Sequence, residues 1–338
     1  MEKIYNSNED CIDFVVTWVD DTDTEWQAQR NKYAGKNAED SAVYRFRDWG
    51  TLKYLFRWIE KFAPWVNNVF FVTCGHYPSW LNLNHPKLKF IKHEDYIPQE
   101  YLPTFNSNAI ELNFHRIREL SEYFVCFNDD MFITNYMEKS DFFEKWLPKQ
   151  IAWLSTIPTT NDIFGHIILN NINLINRHFS YKEILRKNKK KWYHFWYWPR
   201  VLVQTIFLQN YPYLVWFFDH HLPSPLLKTT MKNLRDKEFD ALNTTSMAKF
   251  RTKDDVNHYV FSWYDICSDN FLPKNKNTGR CFTIKGENYI KIIDSINKQK
   301  YKMICINDTE HVFDFEKVKS KVITAFEKIL PEKSWFEK

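Results

Sequence analysis

The sequence predicts an α/β protein: a Rossmann-like, mainly parallel sheet covered by helices, followed by a mostly helical C-terminal half and carrying an aromatic and basic insertion. Three observations carry this. Short β-rich runs alternate with helical periodicity through the first third of the chain, two of these runs end abruptly in clustered carboxylates, and the apolar spacing beyond residue 219 is mostly that of helices.

The first run, Ile12 to Val19, stops at Asp20-Asp21-Thr22-Asp23. Trp49, Leu52, Phe56, Ile59 and Ala63 then recur at helical spacing, with Asp48 as the expected N-cap and Pro64 as the stop. Val69 to Thr73 reads as a second strand and Leu88 to His93 as a third. Asn108 and Glu111 form an N-x-x-E capping-box pattern, and Ile110, Phe114, Ile117 and Leu120 line one face of the helix expected after it. Tyr123 to Phe127 is a fourth strand, ending in Asn128-Asp129-Asp130. Ligands of such sheets bind beyond the carboxyl ends of the strands. Here those ends are Asp20 to Asp23, Thr73 to His76, His93 to Asp95 and Asn128 to Asp130, a polar and largely acidic rim.

In the second half, Ser224-Pro225 reads as an N-cap with proline at the first helical position, followed by the stripe Leu227, Met231 and Leu234. Thr252 and Asp255 suggest another helix start ahead of Val256, Val260, Trp263 and Cys267. Met303 to Ile306 is strand-like and ends in Asn307-Asp308, and a last helix carries Val318, Val322, Phe326 and Leu330 before Pro331. There is no internal repeat.

A chain of 338 residues can bury a full core. Aromatic residues at 18% and only 6 glycines describe a packed globule rather than a disordered chain. With 46 basic and 42 acidic residues, the net charge of +4 does not suggest a nucleic-acid partner. Cys11, Cys74, Cys126, Cys267, Cys281 and Cys305 form no CxxC pair, and the four in or beside apolar runs (Cys11, Cys74, Cys126, Cys305) read as core hydrophobes. Reduced thiols and a start without a signal peptide's apolar stretch lead us to expect a cytoplasmic protein; the sequons at Asn243 and Asn307 are then chance matches.

The segment from Lys182 to Phe218 differs from the rest. Arg186-Lys187-Asn188-Lys189-Lys190-Lys191 leads into Trp192, Tyr193, Phe195, Trp196, Tyr197 and Trp198, then into the run from Val201 to Phe218. Gln204, Gln209, Asn210 and Pro212 argue against a spanning helix. A basic block beside aromatics suits a membrane interface; the alternative is an aromatic core segment behind a solvated charge run.

Several clusters can carry chemistry. Asp20, Asp21 and Asp23 repel one another unless a cation or strong donors neutralise them, which favours a hard divalent ion held with substrate phosphates; a solvated acidic turn is the alternative. Asp129 and Asp130 resemble the acidic pair with which many nucleotide-sugar transferases hold a metal diphosphate. His221, expected just before a helix start, suits a phosphate site and a general base, although lone histidines are commonly structural and His220 is adjacent. Arg251, also expected before a helix start, can stabilise phosphoryl oxygens or simply pair with Asp254 or Asp255.

Taken together these stretches resemble the Stealth family of bacterial capsule and exopolysaccharide hexose-1-phosphate transferases, which includes the catalytic subunit of the animal phosphotransferase that tags lysosomal enzymes. The resemblance rests on Asp13-Phe14-Val15-Val16-Thr17-Trp18-Val19-Asp20; on Arg45-Phe46-Arg47-Asp48, Ala63-Pro64-Trp65, Leu102-Pro103-Thr104-Phe105-Asn106-Ser107-Asn108-Ala109-Ile110-Glu111 and Phe127-Asn128-Asp129-Asp130. It continues in His221-Leu222-Pro223, Phe250-Arg251 with Asp254-Asp255, Cys305-Ile306-Asn307-Asp308, and Pro331-Glu332-Lys333-Ser334-Trp335-Phe336-Glu337. Asp21 departs from the pattern, which usually has Gly there.

The resemblance implies one catalytic domain over residues 1–338, with a nucleotide-sugar-binding part at 10–135 and a helical part at 219–338 that completes the site; the basic-aromatic insertion at 180–218 lies outside the matching stretches, and its membrane contact is expected from composition alone. It implies attack by a glycan hydroxyl on the sugar-proximal phosphate of a nucleotide diphosphate sugar, releasing nucleoside monophosphate and leaving a phosphodiester. His221, Arg251 and Asp23 are the implied catalytic residues. Asp20, Arg47, Asn106, Asn108, Glu111, Asp255 and Asn307 are implied to bind substrate, and Asp129, Asp130 and Asp308 to hold Mg²⁺ or Mn²⁺. The expected acceptor is a lipid-linked oligosaccharide or a growing polymer at the inner face of the cytoplasmic membrane. A metal-dependent glycosyltransferase releasing nucleoside diphosphate is the alternative.

Overall fold

The computed structural model describes residues 11–34, 47–157, 163–197, 199–309, 312 and 314–338; Arg45, Phe46 and Trp198 of the stretches above lie outside them. Four parallel strands form the central sheet: β1 (Ile12–Thr17), β2 (Val69–Thr73), β3 (Leu88–Lys92) and β4 (Tyr123–Phe127). Their order is β3-β2-β1-β4, with β8 (Ser224–Leu227) antiparallel on the edge beside β4. The chain steps one way from β1 to β2 and the other way to β4, so the carboxyl ends of β1 and β4 flank a topological switch point, where α/β sheets bind ligands.

Alternation along these strands divides the core. Val15, Phe70, Val72, Phe124 and Cys126 face one side, within the cluster that includes Ile168, Ile172, Met231 and Trp263 from α5 (Ile163–His178), α9 (Lys228–Lys237) and α11 (Tyr259–Cys267). Phe14, Val16, Val69, Phe71, Val125 and Phe127 face the other, with α2 (Leu52–Phe62) and α13 (Phe315–Ile329). Strands buried on both faces read as continuous apolar runs, which is why the four were legible in sequence. A second sheet, β10 (Gly279–Thr283), β11 (Met303–Asn307) and β5 (Met131–Ile133), continues the architecture, with β11 antiparallel to β5. A small third sheet joins β6 (Phe143–Glu144), β7 (Leu147–Gln150) and β9 (Leu272–Pro273). The remaining helices are α1 (Thr24–Tyr33), α3 (Ser107–Leu112), α4 (Lys139–Phe142), α6 (Tyr181–Lys187), α7 (Lys189–Trp192), α8 (Arg200–Leu208), α10 (Phe239–Met247) and α12 (Tyr289–Asn297).

The structure corrects several local expectations. Ser224-Pro225 opens β8, not a helix: Pro225 lacks an N–H, and an edge strand tolerates that. The helix begins at Lys228. Likewise Thr252 and Asp255 do not open α11, which starts at Tyr259; Thr252 Oγ1 instead donates to the buried Asp255 carboxylate at 2.9 Å. Asp48 does not cap α2; Thr51 holds that position, and Asp48 accepts the Gly50 N–H at 2.8 Å. Asn108 and Glu111 do not make a capping box, because Asn106 caps α3 by accepting the Asn108 N–H, and α3 ends at Leu112. Cys74 is exposed at the end of β2 rather than a core residue, and Cys11 is half-buried.

Candidate active site

Strand direction assembles the site. β1 and β4 deliver Asp20–Asp23 and Asp129–Asp130 to one end of the sheet. Because β8 runs antiparallel to β4, with Ser224 opposite Cys126, the residues just before β8 return to that same end. His221 therefore reaches the acidic rim by way of a strand, without a helix N-terminus. Because β11 runs antiparallel to β5, with Cys305 opposite Met131, Cys305 also arrives beside Asp130.

At the centre, Asp130 Oδ2 accepts the Cys305 thiol at 3.2 Å and lies 3.8 Å from His221 Nε2. The other oxygen, Oδ1, is buried and lacks a hydrogen-bond partner. Ligand atoms of Asp130, His221 and Cys305 all lie within 4.8 Å of one another, a grouping able to hold a cation. Neighbouring Asp129 has its carboxyl pushed up to about 8 by burial and by the charges of Asp130, Asp48 and Asp21. Its side chain is half-buried, so solvent screening tempers that push. Burial and the Asp48 and Asp20 charges also raise Asp21. Five carboxylates, Asp20 and Asp21 after β1, Asp129 and Asp130 after β4, and Asp48 before α2, thus repel one another across the switch point, an arrangement that a divalent ion would relieve.

His221 is held rigidly. Its backbone has φ of 47°, its N–H donates to Asp219 Oδ1 at 2.6 Å, and its Nδ1 is 2.8 Å from the Tyr259 hydroxyl. A left-handed conformation at a non-glycine residue is costly and persists only where neighbours fix it. Tyr259 is buried and stays protonated, its hydroxyl raised well above the ordinary value by burial and by nearby Asp219 and Glu111. An Nδ1–H donating to this hydroxyl leaves an unprotonated Nε2 on the side of Asp130, the state required of a general base. His220 is displaced from this role: its ring packs 5.4 Å from Trp153, and burial lowers its pKa to about 4.

The acidic turn after β1 is more structured than its sequence suggests. Asp20 Oδ1 accepts both the Thr22 N–H and its hydroxyl, at 2.9 and 2.6 Å, and the Asp20 N–H donates to His76 Nε2. Asp23 caps α1 by accepting the Trp26 N–H at 2.8 Å, with its second oxygen 3.7 Å from His76 Nδ1. Of the other expected rim positions, His93 is buried and neutral, lowered to about 3 by burial and by His76. Asp95 accepts the Lys92 N–H.

Asp308, just past β11, forms an ion pair with Arg47, whose Nε lies 3.0 Å from Oδ2, and accepts Trp49 Nε1 at 3.1 Å on Oδ2 and the Thr309 N–H on Oδ1. Metal ligation would require it to surrender these donors. The Arg47 guanidinium also lies 4.5 Å over the Phe315 ring. Asn307 is half-buried beside it.

Asn106, Asn108, Glu111 and Asp255 come together as a buried group. Asn106 and Asp255 are both 0% exposed, and Asn108 and Glu111 4%, so their side chains contact protein. Asp255 Oδ2 accepts Asn106 Nδ2 at 2.8 Å and Asn108 Nδ2 at 3.0 Å, while Glu111 pairs with His258 Nδ1. Burial opposes charge on His258, but the Glu111 carboxylate outweighs it and raises the imidazole. Arg251 donates to Ser107 Oγ at the start of α3, so it meets this lattice and not the start of α11. Sequence reading missed Asp48, Cys305, Tyr259 and His258. Asp48 had the form of a cap and Cys305 that of a core thiol; only antiparallel pairing brings the latter to a carboxylate.

A mainly parallel sheet with an acidic switch point and a fixed histidine beside it is the frame of an α/β transferase. Residues 12–38 match the model of Stealth protein conserved region 1 and residues 45–151 that of conserved region 2. The chain is 43% identical, over 98% of its length and 99% of the relative's, to the capsular polysaccharide phosphotransferase WcwK of Streptococcus pneumoniae. It is 40% identical to the receptor polysaccharide phosphotransferase WefC of Streptococcus gordonii, covering 96% of this chain and 98% of that one. To the exopolysaccharide phosphotransferase cps2G of Lactiplantibacillus plantarum it is 39% identical, over 97% and 96%. The chain belongs to the Stealth family.

Proposed function

We propose that this enzyme transfers a sugar 1-phosphate from a nucleotide diphosphate sugar to a glycan hydroxyl in capsular or exopolysaccharide synthesis. The observation that carries the reading is the convergence of Asp129, Asp130 and His221 at the switch point, with full-length similarity to polysaccharide phosphotransferases.

The residues fit a divalent ion: Asp130 Oδ1 is an orphaned buried acceptor, and Asp129 is crowded by Asp21, Asp48 and Asp130. Asp129 and Asp130 would hold Mg²⁺ or Mn²⁺, which supplies charge neutralisation for the donor diphosphate. His221 Nε2 takes the proton of the acceptor hydroxyl, steadied by Tyr259 at Nδ1. The hydroxyl oxygen bonds to the sugar-proximal phosphorus, the bond to the nucleoside monophosphate breaks, and the sugar keeps its phosphate as a phosphodiester. Asp20 and Asp23 face the donor, Asn307 at the end of β11 contributes a polar contact, and Arg47, anchored on Asp308, and Arg251, anchored on Ser107, contribute positive charge for phosphoryl oxygens. Asn106, Asn108, Glu111 and Asp255 act as positioning residues that fix Arg251 and the segment leading to Tyr259. The reaction is expected at the inner face of the cytoplasmic membrane.

The test is product identity. Phosphorus NMR of a reaction with a panel of nucleotide sugars is expected to show a new phosphodiester and free nucleoside monophosphate, dependent on added Mg²⁺ and abolished by EDTA. Release of nucleoside diphosphate instead would make the enzyme a glycosyltransferase.

A further inference from the structure

Between Glu183 and Asp219 the chain has no Asp or Glu, yet it carries Arg186, Lys187, Lys189, Lys190, Lys191 and Arg200. The structure sorts this stretch into two faces. Trp192, Tyr197, Val201, Leu214 and Phe217 are buried in the core on one side of the central sheet. On the opposite side of α8, Val203, Ile206 and Phe207 are 46%, 49% and 78% exposed. Their i, i+3, i+4 spacing places them on one helical face. Phe195 in the preceding turn is 71% exposed, and Tyr211 and Tyr213 after the helix 51% and 63%. Tyr193 Oη donates to Gln209 Oε1 at 2.8 Å, fastening the turn that carries Phe195 to the end of α8.

A helix that is apolar on both faces needs a second apolar partner. In the same stretch Lys187, Lys189, Lys190 and Arg200 are exposed, whereas Lys191 is committed to Asp269 at 2.6 Å. We propose that this face lies in the headgroup layer of an anionic bilayer. α8 rests in the plane, with Val203, Ile206 and Phe207 toward the acyl chains, the aromatics at the interface, and Lys187, Lys189, Lys190 and Arg200 on lipid phosphates. Charge decides between occupants: a second copy seated on this face would bring two sets of cations together with no carboxylate from the stretch to offset them, whereas an anionic surface complements them. No helix among the described residues is long and apolar enough to cross a membrane, so the contact is with the surface.

The patch connects to the catalytic loop. Trp153 Nε1 donates to Gln204 Oε1 of α8 at 2.6 Å, and the Arg200 guanidinium lies 5.6 Å over the Trp153 ring. That ring packs 4.5 Å from Phe218 and 5.4 Å from His220, the neighbour of His221. Docking therefore brings the bilayer close to the loop that holds the base, which suits a lipid-borne acceptor; only this last consequence rests on the proposed function.

The experiment is co-sedimentation of the full chain with phosphatidylglycerol–phosphatidylcholine vesicles against pure phosphatidylcholine. The wild type is expected to pellet with the anionic vesicles. K187Q/K189Q/K190Q should lower the partition coefficient about 100-fold, since each lysine near an anionic surface contributes roughly a factor of five. I206S/F207S should lower it at least tenfold, and both variants should keep wild-type transfer to a short water-soluble acceptor. Absence of wild-type binding, or binding unchanged in both variants, would overturn the proposal. So would a dimer that fails to bind vesicles and becomes monomeric in I206S/F207S. Intact vesicle binding without any sugar-phosphate transfer would instead refute the reaction and leave the docking surface standing.

Discussion

At His221 the catalytic proposal turns on one hydrogen bond. The Tyr259 hydroxyl, 2.8 Å from Nδ1, holds the ring beside Asp130, and the base role requires it to accept Nδ1–H so that Nε2 is left unprotonated. Replacing His221 by Gln should lower kcat by about 100-fold or more, the scale of general-base loss. Tyr259→Phe should lower kcat by roughly tenfold while leaving the donor KM near wild type, because it removes positioning and no substrate contact. Steady-state kinetics on purified variants separates the two, and a Tyr259→Phe enzyme with raised donor KM and unchanged kcat would contradict the assigned role. His221, Asp129 and Asp130 were legible as residues of interest because they interrupt apolar runs or stand at strand ends. Their partners were not: nothing in a β-rich Met-Ile-Cys-Ile-Asn run marks its cysteine as the neighbour of Asp130.

Among the elements, α3 and the segment before α11 form one polar lattice. Asp255 accepts from Asn106, Asn108 and Thr252, so an Asp255→Ala change leaves buried donors unpaired and should destabilise the fold by about 3 kcal/mol. Urea unfolding measures this, and activity per folded molecule should fall as well, since Arg251 is tied to the same helix. Gly279 on β10 makes a close approach to the loop that holds His221: a Cβ there would stand 2.6 Å from Leu222 Cδ1 and 3.0 Å from the Met303 carbonyl oxygen. Gly279→Ala should therefore displace Leu222 and cost several-fold in kcat beyond any loss of stability, an effect that saturating-substrate assays at low temperature would reveal. The strands of the central sheet could be read because burial on both faces writes continuous apolar runs. The helix starts expected at Ser224 and Thr252 could not, because the same capping residues also serve an edge strand and a buried side-chain network.

Across the whole molecule, three imidazoles shifted by burial set the response to acid. Burial lowers His93 to about 3 and His115 and His220 to about 4, with nearby positive groups adding to the effect at His115. An unfolded imidazole takes up its proton near pH 6.5. Below that value the unfolded chain binds more protons than the native one, so stability falls as pH drops toward about 4, by roughly 1.4 kcal/mol per pH unit for each group. His258 acts in the opposite sense: raised by Glu111, it contributes stability that is complete below about pH 6.5 and fades as pH rises through its folded value. Urea midpoints should fall steeply between about pH 6 and 4.5, and His115→Gln should flatten part of that slope. A midpoint independent of pH in this range would contradict the buried-neutral assignment.

The sequence by itself determined the α/β class, the four parallel strands, the acidic strand ends and the unusual basic-aromatic stretch. Each of these follows from local periodicity and composition. The tertiary structure alone decided which of the acidic and basic groups meet. Antiparallel pairing of β8 with β4 and of β11 with β5 carries His221 and Cys305 to Asp130, burial joins Asn106, Asn108, Glu111 and Asp255 in a hydrogen-bonded lattice, and Arg47 pairs with Asp308. The physical reason is separation along the chain: these partners lie up to about 260 residues apart, and strand direction and burial, which bring them together, leave no mark in the spacing of any one segment.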